Sequence, residues 1–178
     1  MLLDKIARGI LHRLQDRSLY RFVYRKLALQ LTLREATDSD LIQVHLWLNP
    51  ANDYELQRAS NLTEWVALYQ GQIVGFIQLI RYPQDNELYQ GYWLFSLIVK
   101  PVRRGMGIGT ALTRTAMDRA RNEGAPFLDL LVFEDNVRAI TLYAKLGFKY
   151  FIIPVLEPSL EREREIYGRR RIVMRKVF

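Results

Sequence analysis

Three glycines at alternate positions, Gly105, Gly107 and Gly109, are the residues of this sequence that indicate a binding site most directly. They follow an apolar run at 94–99 and precede a stretch with one apolar face, so a strand, a tight turn and a helix are predicted. Glycine has no Cβ, so the N–H groups of such a turn can approach a ligand closely. A helix N-terminus also carries free amides and a partial positive charge, which favours phosphate groups. The alternative is that the glycines serve only the turn.

Two common phosphate-binding motifs do not fit this segment. A P-loop needs a lysine before its Ser or Thr, and no lysine precedes Thr110. A dinucleotide fingerprint needs a third glycine, and Thr110 stands at that position. What remains is R-x-x-G-x-G at residues 104–109, directly after a predicted strand that ends in V-x-P, with Arg103 as a further positive charge.

A second motif follows downstream, N-x-x-A-x-x-L-Y-x-x-x-G-F at residues 136–148. In order and spacing, the two motifs resemble the GNAT superfamily of acyl-CoA-dependent N-acyltransferases. The resemblance covers about residues 31–178 and includes an opening L-R-E-A-T-D-S-D. It implies an α/β fold, with a central mixed sheet of about six to seven strands flanked by helices, over a domain at 29–178. It also implies acetyl transfer from acetyl-CoA to a primary amine of a protein, peptide or small molecule. The alternative is a non-catalytic acyl-CoA-binding or scaffold protein.

The resemblance implies a donor site built largely from backbone. The amides of residues 104–110 would hold the pyrophosphate, and the exposed backbone of 97–99 would pair with the pantetheine arm like another strand. The Val99 amide would stabilise the oxyanion that forms during acyl transfer. The residues expected to bind the cofactor are Leu97, Ile98, Val99, Arg104, Gly105, Met106, Gly107, Ile108, Gly109, Thr110, Asn136 and Ala139.

Tyr143 matches the position of the family's usual proton donor to the leaving thiolate. A phenol of pKa about 10 is a weaker acid than a thiol near 8.5, so a hydrogen bond that steadies the thiolate is the more cautious role. A packing role for this tyrosine is the alternative. Because the chain has no cysteine, direct attack by the amine is favoured, although Ser96 stays formally open as a nucleophile.

The residue that deprotonates the amine is less clearly marked. Many relatives carry a glutamate near the start of the central strand, but residues 89–93 contain no carboxylate. Glu87 is the nearest candidate, Glu64 and Asp53 are more remote ones, and a water chain is as good an interpretation as any of them. The resemblance further suggests Trp47, Asp53 and Tyr54 as residues on the acceptor side.

Composition supports one domain of 178 residues with a single core. The absence of cysteine excludes disulfides and thiolate metal sites. The two histidines, His12 and His45, have no carboxylate at ligand spacing, so no metal is expected, and His45 is interpreted as a packed side chain. No run approaches the roughly 18 apolar residues of a membrane span, and a cytoplasmic location is expected.

An N-terminal extension, residues 1–28, precedes the region of resemblance. Residues 1–30 carry seven basic and two acidic side chains, a net +5 of the total +7. Apolar residues at helical spacing predict a basic amphipathic helix. Packing on the domain, homodimerisation or contact with a partner is favoured over an anionic membrane surface. Nothing resembles a nucleic-acid module, so no specific nucleic-acid binding is expected.

Other elements are expected from periodicity and turn residues. A strand at 31–34 should precede a helix that Asp38 or Ser39 caps. A hairpin at 62–81, a strand at 127–133 and a helix at 136–146 capped by Asp135 should follow. Residues 148–155 and 171–178 are predicted as strands, and 157–165 as a solvated charged connection or a helical turn with Glu161 and Glu165 on one side. The basic residues at 169–171 are interpreted as a solvated turn or as a contact for the 3′-phosphate of CoA.

Overall fold

The computed structural model describes residues 30–48 and 59–178. The predicted helix in residues 1–28, with its dimer, partner and membrane interpretations, lies outside the described residues, as do Asp53 and Tyr54. Within the described part the elements follow the order β1 (Leu31–Glu35), α1 (Asp38–Leu48), β2 (Leu62–Tyr69), β3 (Gln72–Tyr82), β4 (Gly91–Val99), a 3-10 turn (Pro101–Arg103), α2 (Ile108–Asn122), β5 (Phe127–Phe133), α3 (Val137–Lys145), β6 (Lys149–Phe151), α4 (Glu157–Tyr167) and β7 (Arg171–Val177).

The strands form one seven-stranded mixed sheet in the order β1-β2-β3-β4-β5-β7-β6. Strands β1 to β4 are a run of antiparallel neighbours, while β4 and β5 are parallel because α2 crosses between them. The β2–β3 hairpin turns at Gln70 and Gly71, both with positive φ (52° and 76°), as the sequence predicts around Gly71. The expected mixed sheet of six to seven strands is confirmed.

Helix α2 covers one face of the sheet. Leu112, Ala116 and Ala120 are fully buried there, against side chains that include Ile77 and Leu130. Gly75 on β3 lets the helix come this close, since a Cβ at that position would lie 2.9 Å from side-chain carbons of both Ile108 and Leu112. The start of α2 is therefore pressed against the middle of the sheet.

Helices α1 and α4 share the opposite face, which we call the α1/α4 face. Val66 and Phe76 lie under α1, and Trp93 and Val173 lie under α4. Alternation along the strands puts them on one side, because the neighbouring residues Trp65 and Leu94 belong to the core beneath α2. The two helices thus cover different parts of one surface.

The start of α1 differs from the prediction. Thr37, not Asp38 or Ser39, supplies the cap: its Oγ1 accepts the N–H of Asp40 at 3.3 Å, and Asp40 Oδ2 accepts the N–H of Thr37 at 2.7 Å. This is a reciprocal capping box with Asp in place of the usual Glu. Arg34 also donates to both oxygens of Asp40, which holds its carboxylate in this position.

Two further predictions are corrected near the C-terminus. Residues 148–155 form only the three-residue strand β6, and the segment expected to be a solvated connection or a single helical turn is the eleven-residue helix α4. The apolar contacts of this helix come before its alternating charges at 161–165. Leu156 and Leu160 are buried, with 1% and 2% exposure, in a cluster with Trp93. Two buried leucines one helical turn apart are enough to dock this helix on the sheet.

The cap of α3 is corrected as well. Asn136 occupies the cap, and its side chain accepts the N–H of Ala139 at 3.2 Å. Asp135, the predicted cap, instead accepts two hydrogen bonds from Arg169. Arg170 and Arg171 pair with carboxylates of α4, so all three basic residues at 169–171 are occupied by acidic partners within the domain.

No helix in the described ranges is long and apolar enough to cross a membrane. Within the same ranges no group of three or more His, Asp or Glu side chains could hold a metal ion.

Candidate active site

The two central strands separate in the middle of the sheet. Strands β4 and β5 pair only at Tyr92–Leu128, Trp93–Asp129 and Leu94–Leu130, although β4 continues to Val99 and β5 to Phe133. Beyond Leu94 the facing edges of the two strands are therefore not paired with each other. We call this gap the β4–β5 split. Unpaired strand edges can accept an extended ligand through main-chain hydrogen bonds.

A β-bulge in β4 accompanies the split. Gln78 pairs with Phe95 and Phe76 with Ile98, so two residues of β4 lie opposite a single residue of β3. Ser96 occupies the bulge with φ of 51°, a left-handed conformation that is uncommon outside glycine. A bulge bends its strand and increases the local twist, which turns β4 away from β5.

The Val99 amide faces the β4–β5 split. The N–H of Lys100 donates to the Val74 carbonyl on β3 at 2.9 Å. Successive N–H groups of a strand point to opposite edges, so the Val99 N–H points away from β3. The Val99 carbonyl accepts Arg104 Nε at 3.1 Å, outside the β3–β4 ladder. The backbone of Val99, and by the same alternation that of Leu97, is thus exposed to the split.

The N-terminus of α2 lies next to the end of β4. Gly107 is the N-cap, with φ of 79°, and the first helical hydrogen bond runs from the Ala111 N–H to the Gly107 carbonyl at 2.9 Å. The amides of Ile108, Gly109 and Thr110 therefore have no partner inside the helix. Gly105 also has a positive φ, 80°, and a Cβ there would meet no atom within 4 Å. The turn is open enough for a diphosphate to reach these amides.

The third glycine has a different role. Gly109 has no positive φ, and a Cβ there would lie 3.1 Å from Leu142 Cδ1 on α3. Leu97 and Val99 are the next nearest side chains, both at 3.8 Å. Gly109 therefore lets α3 and the end of β4 close around the start of α2, whereas Gly105 and Gly107 shape the turn.

The arginines before the turn are held at its mouth. Arg104 is exposed and bonded to the Val99 carbonyl, as described above. The Arg103 guanidinium lies over the Tyr69 ring, 4.4 Å from its centroid. Both charges remain beside the free amides and add to the positive potential there. Met106, between the glycines, packs on the edge of the core.

Tyr143 lies in the core between α3 and the sheet, in the cluster that also includes Leu97 and Val99. Only 7% of the residue is exposed, and its ring packs edge-on against Phe148 at 5.8 Å. Loss of solvation raises the pKa of Tyr143 from 10 to about 12. Its hydroxyl is a hydrogen-bond donor over the whole physiological pH range.

The remaining residues predicted for the site lie in three different places. Asn136 and Ala139 stand together at the first turn of α3, where they cap the helix. Glu87 lies exposed in the loop before β4. This loop folds back along the strand, because the Tyr89 ring lies 4.9 Å from the Trp93 ring and 6.2 Å from the Phe95 ring. The role of Glu87 as the base stays a prediction from the sequence. Trp47 lies at the end of α1 with Lys100 Nζ 5.5 Å from its ring centroid.

Glu64 and Gln78 form a polar pair on the α1/α4 face, which the sequence indicates only weakly. Gln78 Nε2 on β3 donates to Glu64 Oε1 on β2 at 2.8 Å. The pair continues in register to Phe95, the residue before the bulge. A signal for this pair is present in the sequence. Glu64 and Gln78 are each polar, whereas the residues two positions before and after them, on the same face of the strand, are apolar.

Comparisons with known proteins agree with this geometry. Residues 29–148 match the family model described as Acetyltransferase (GNAT) family. Mycothiol acetyltransferase of Jonesia denitrificans is 39% identical over 77 residues, which is 43% of this chain and 23% of that protein. N-acetyltransferase family 8 member 2 of Rattus norvegicus is 33% identical over 94 residues, which is 49% of this chain and 41% of that protein. The matched region thus spans less than half the length of either relative.

Among solved structures, Arabidopsis thaliana Naa50 in complex with the bisubstrate analogue CoA-Ac-MVNAL superposes with a TM-score of 0.63. The identity is 22%, and the match covers 84% of this chain and 99% of that one, which shows a shared fold. With a family model that matches more than half of its residues, the chain belongs to the GNAT family of acetyltransferases.

Proposed function

We propose that this protein transfers an acetyl group from acetyl-CoA to a primary amine of a protein, peptide or small molecule. The observation that carries the proposal is the β4–β5 split beside the free amides at the start of α2. Acetyl-CoA carries its thioester on a long pantetheine arm that ends in a diphosphate, so it needs both features. The β4–β5 split binds the arm, and the free amides of α2 bind the diphosphate.

The donor half of the site uses main-chain groups. The amides of Ile108, Gly109 and Thr110 bind the pyrophosphate, with the open turn at Gly105 and Gly107 giving access. The exposed backbone groups of Leu97 and Val99 pair with the pantetheine arm, while those of Ile98, in register with Phe76, are directed to β3. The Val99 N–H, directed into the split, stabilises the oxyanion of the tetrahedral intermediate. Met106, Arg104, Asn136 and Ala139 line the same end of the site.

Tyr143 acts as a hydrogen-bond donor to the leaving thiolate. Its pKa of about 12 lies well above that of a thiol. Full proton transfer from a phenol of pKa about 12 to a thiolate of pKa about 8.5 would be uphill by about 5 kcal/mol. The raised pKa therefore supports stabilisation of the thiolate in place, with the proton remaining on the phenol.

The amine attacks the thioester directly in this proposal. A serine nucleophile needs an adjacent base. Within residues 30–48 and 59–178 no hydrogen bond joins the Ser96 hydroxyl to a carboxylate or an imidazole. Ser96 serves the bulge, where its backbone conformation is special.

The test is CoA release measured against a panel of alkyl amines, polyamines and peptides with free N-termini, beside calorimetry with acetyl-CoA. We expect binding of acetyl-CoA and release of CoA with at least one amine. Binding without transfer to any amine would support the non-catalytic alternative, and absence of binding would contradict both functions. The cytoplasmic location and the partner or dimer contact of residues 1–28 remain predictions from the sequence.

A further inference from the structure

We propose that Glu64 receives the ammonium group of the acceptor and takes its proton, with Gln78 holding the carboxylate in place. The inference rests on the proposed acetyl transfer and assigns the acceptor half of the same site. It assigns this role to Glu64 in preference to Glu87, and it places the acceptor on the α1/α4 face.

Between α1 and α4, the described part of the chain leaves a strip of the α1/α4 face partly exposed. Val66 and Phe76 are buried under α1, with 0% and 3% exposure, and Trp93 and Val173 are buried under α4, with 0% and 1%. The strip between these pairs consists of residues that are all only partly buried: Leu62, Glu64, Gln78, Ile80 and Phe95. The strip crosses the sheet from β2 to β4.

This strip meets the donor site from the other side of the sheet. The core beneath α2, which includes Tyr143 and the start of α2, lies on one face, and the strip lies on the other. Phe95 ends the strip and directly precedes Ser96, the residue of the bulge where β4 turns away from β5. The β4–β5 split is thus the place where a thioester on one side and an amine on the other can meet.

Glu64 is the carboxylate in this strip. Its Cα lies in register with Gln78 and then Phe95, two strand spacings or about 10 Å from β4. Gln78 donates to one carboxylate oxygen at 2.8 Å, so the other oxygen is available to an ammonium donor.

The walls of the strip suit an amine on an apolar body. Tyr82 and Tyr89 stack at 5.2 Å, and Tyr89 and Phe95 meet edge-on at 6.2 Å. These partly exposed rings offer apolar surface, and their faces attract cations. A charged nitrogen on an aliphatic or aromatic carrier therefore matches the strip better than a polyanionic acceptor does.

The proton balance is complete. One proton of the ammonium leaves to solvent by way of Glu64. The carboxylate only relays this proton, because keeping it would be uphill by about 8 kcal/mol between an ammonium of pKa about 10.4 and an ordinary carboxyl group near 4.3. The amine lone pair forms the N–C bond with the thioester carbonyl, and the C–S bond breaks as the intermediate collapses. The second proton lost by nitrogen neutralises the CoA thiolate.

The test compares variants with the alkyl amine that the wild-type protein acetylates fastest. For Glu64→Gln we expect kcat/KM to fall about 10²–10⁴-fold near neutral pH, with acetyl-CoA binding retained. The loss should shrink as the pH approaches about 10, because the free amine is then present without a base. Gln78→Ala should lower kcat/KM about tenfold through loss of one hydrogen bond to a charged group. Asp85→Asn, an exposed carboxylate in the loop before β4, is the matched control and should change little.

Each result decides the assignment. A Glu64→Gln variant within about threefold of wild type, or an equal loss at every pH, would overturn it, as would a loss of acetyl-CoA binding. A larger effect of Glu87→Gln than of Glu64→Gln would return the role to the loop. A wild-type protein that binds acetyl-CoA but transfers to no amine contradicts the proposed function itself, and the inference falls with it.

Discussion

The guanidinium of Arg175 donates hydrogen bonds of 2.7 and 2.6 Å to the two oxygens of Asp129, a carboxylate with 0% exposure. It also lies between the rings of Phe127 and Phe151, 3.8 and 3.7 Å from their centroids. Arg175 thereby joins β5, β6 and β7 into one unit. Since β5 forms one wall of the β4–β5 split, this pair stabilises the strand against which β4 diverges.

Arg175→Ala should destabilise the fold by about 3–5 kcal/mol, because it leaves the Asp129 charge buried without a partner. Urea unfolding followed by circular dichroism measures the change. The matched control is Arg169→Ala, which removes an equally bidentate pair with Asp135 and a similar ring contact at an exposed position. A large loss in the control, or none at Arg175, would contradict the role of burial.

Tyr143→Phe should lower kcat about 10²–10³-fold while acetyl-CoA binding is kept, because only the hydrogen bond to the thiolate is lost. Steady-state kinetics and calorimetry on the same preparation measure both quantities. Tyr92→Phe is the control: Tyr92 is another buried tyrosine, and its hydroxyl donates to Glu123 at 2.9 Å at the end of α2 remote from the turn. An effect below about threefold at Tyr143 would assign this side chain to packing.

Gly107→Ala should weaken acetyl-CoA binding, since φ of 79° is unfavourable for alanine and its relief would move the free amides of α2. Gly124→Ala provides the comparison. It has φ of 81° with no atom within 4 Å of a new Cβ, and it follows the C-terminal end of α2. Both variants should lose about 1–2 kcal/mol of stability, and only Gly107→Ala should change the calorimetric affinity. Equal affinities would contradict a diphosphate site at this turn.

Stability should depend on the Asp40 carboxylate at low pH. Hydrogen bonds from Arg34, followed by those from Thr37, lower the pKa of Asp40 from 3.8 to about 2, against the opposing effect of its burial. A lowered folded pKa means that the unfolded chain takes up the proton first as the pH falls. The stabilisation is therefore complete above about pH 5 and is lost between about pH 5 and pH 2, by about 1–2 kcal/mol.

Chemical unfolding from neutral pH down to acid measures this contribution. Asp40→Asn should be less stable than wild type at neutral pH, and the difference should narrow as the pH falls through this range. A difference that is constant with pH would show that the capping geometry, and not the charge, carries the contribution of Asp40.

The strand, the turn and the helix around the glycine segment could be predicted from the sequence alone. The apolar run before Pro101, the glycine turn and the apolar stripe of α2 each depend on residues close together in the chain, so periodicity and turn chemistry suffice. The hairpin at Gln70 and Gly71 is local in the same way. The N-cap of α1 was harder to predict, because Thr37, Asp38 and Ser39 are consecutive and are all good capping residues. A shift of one or two positions in the start of the helix decides among them.

The positions where strands pair and where they separate could not be predicted from the sequence. The β4–β5 split, the bulge at Ser96 and the row from Glu64 through Gln78 to Phe95 depend on register between strands that are distant in the chain. Helix α4 was hidden because its charges dominate its sequence, while its attachment depends on two leucines that meet Trp93. The choice between Glu87 and Glu64 is of this kind as well. Proximity in sequence to β4 favours Glu87, whereas cross-strand pairing places Glu64 in register with Phe95, the residue before the bulge.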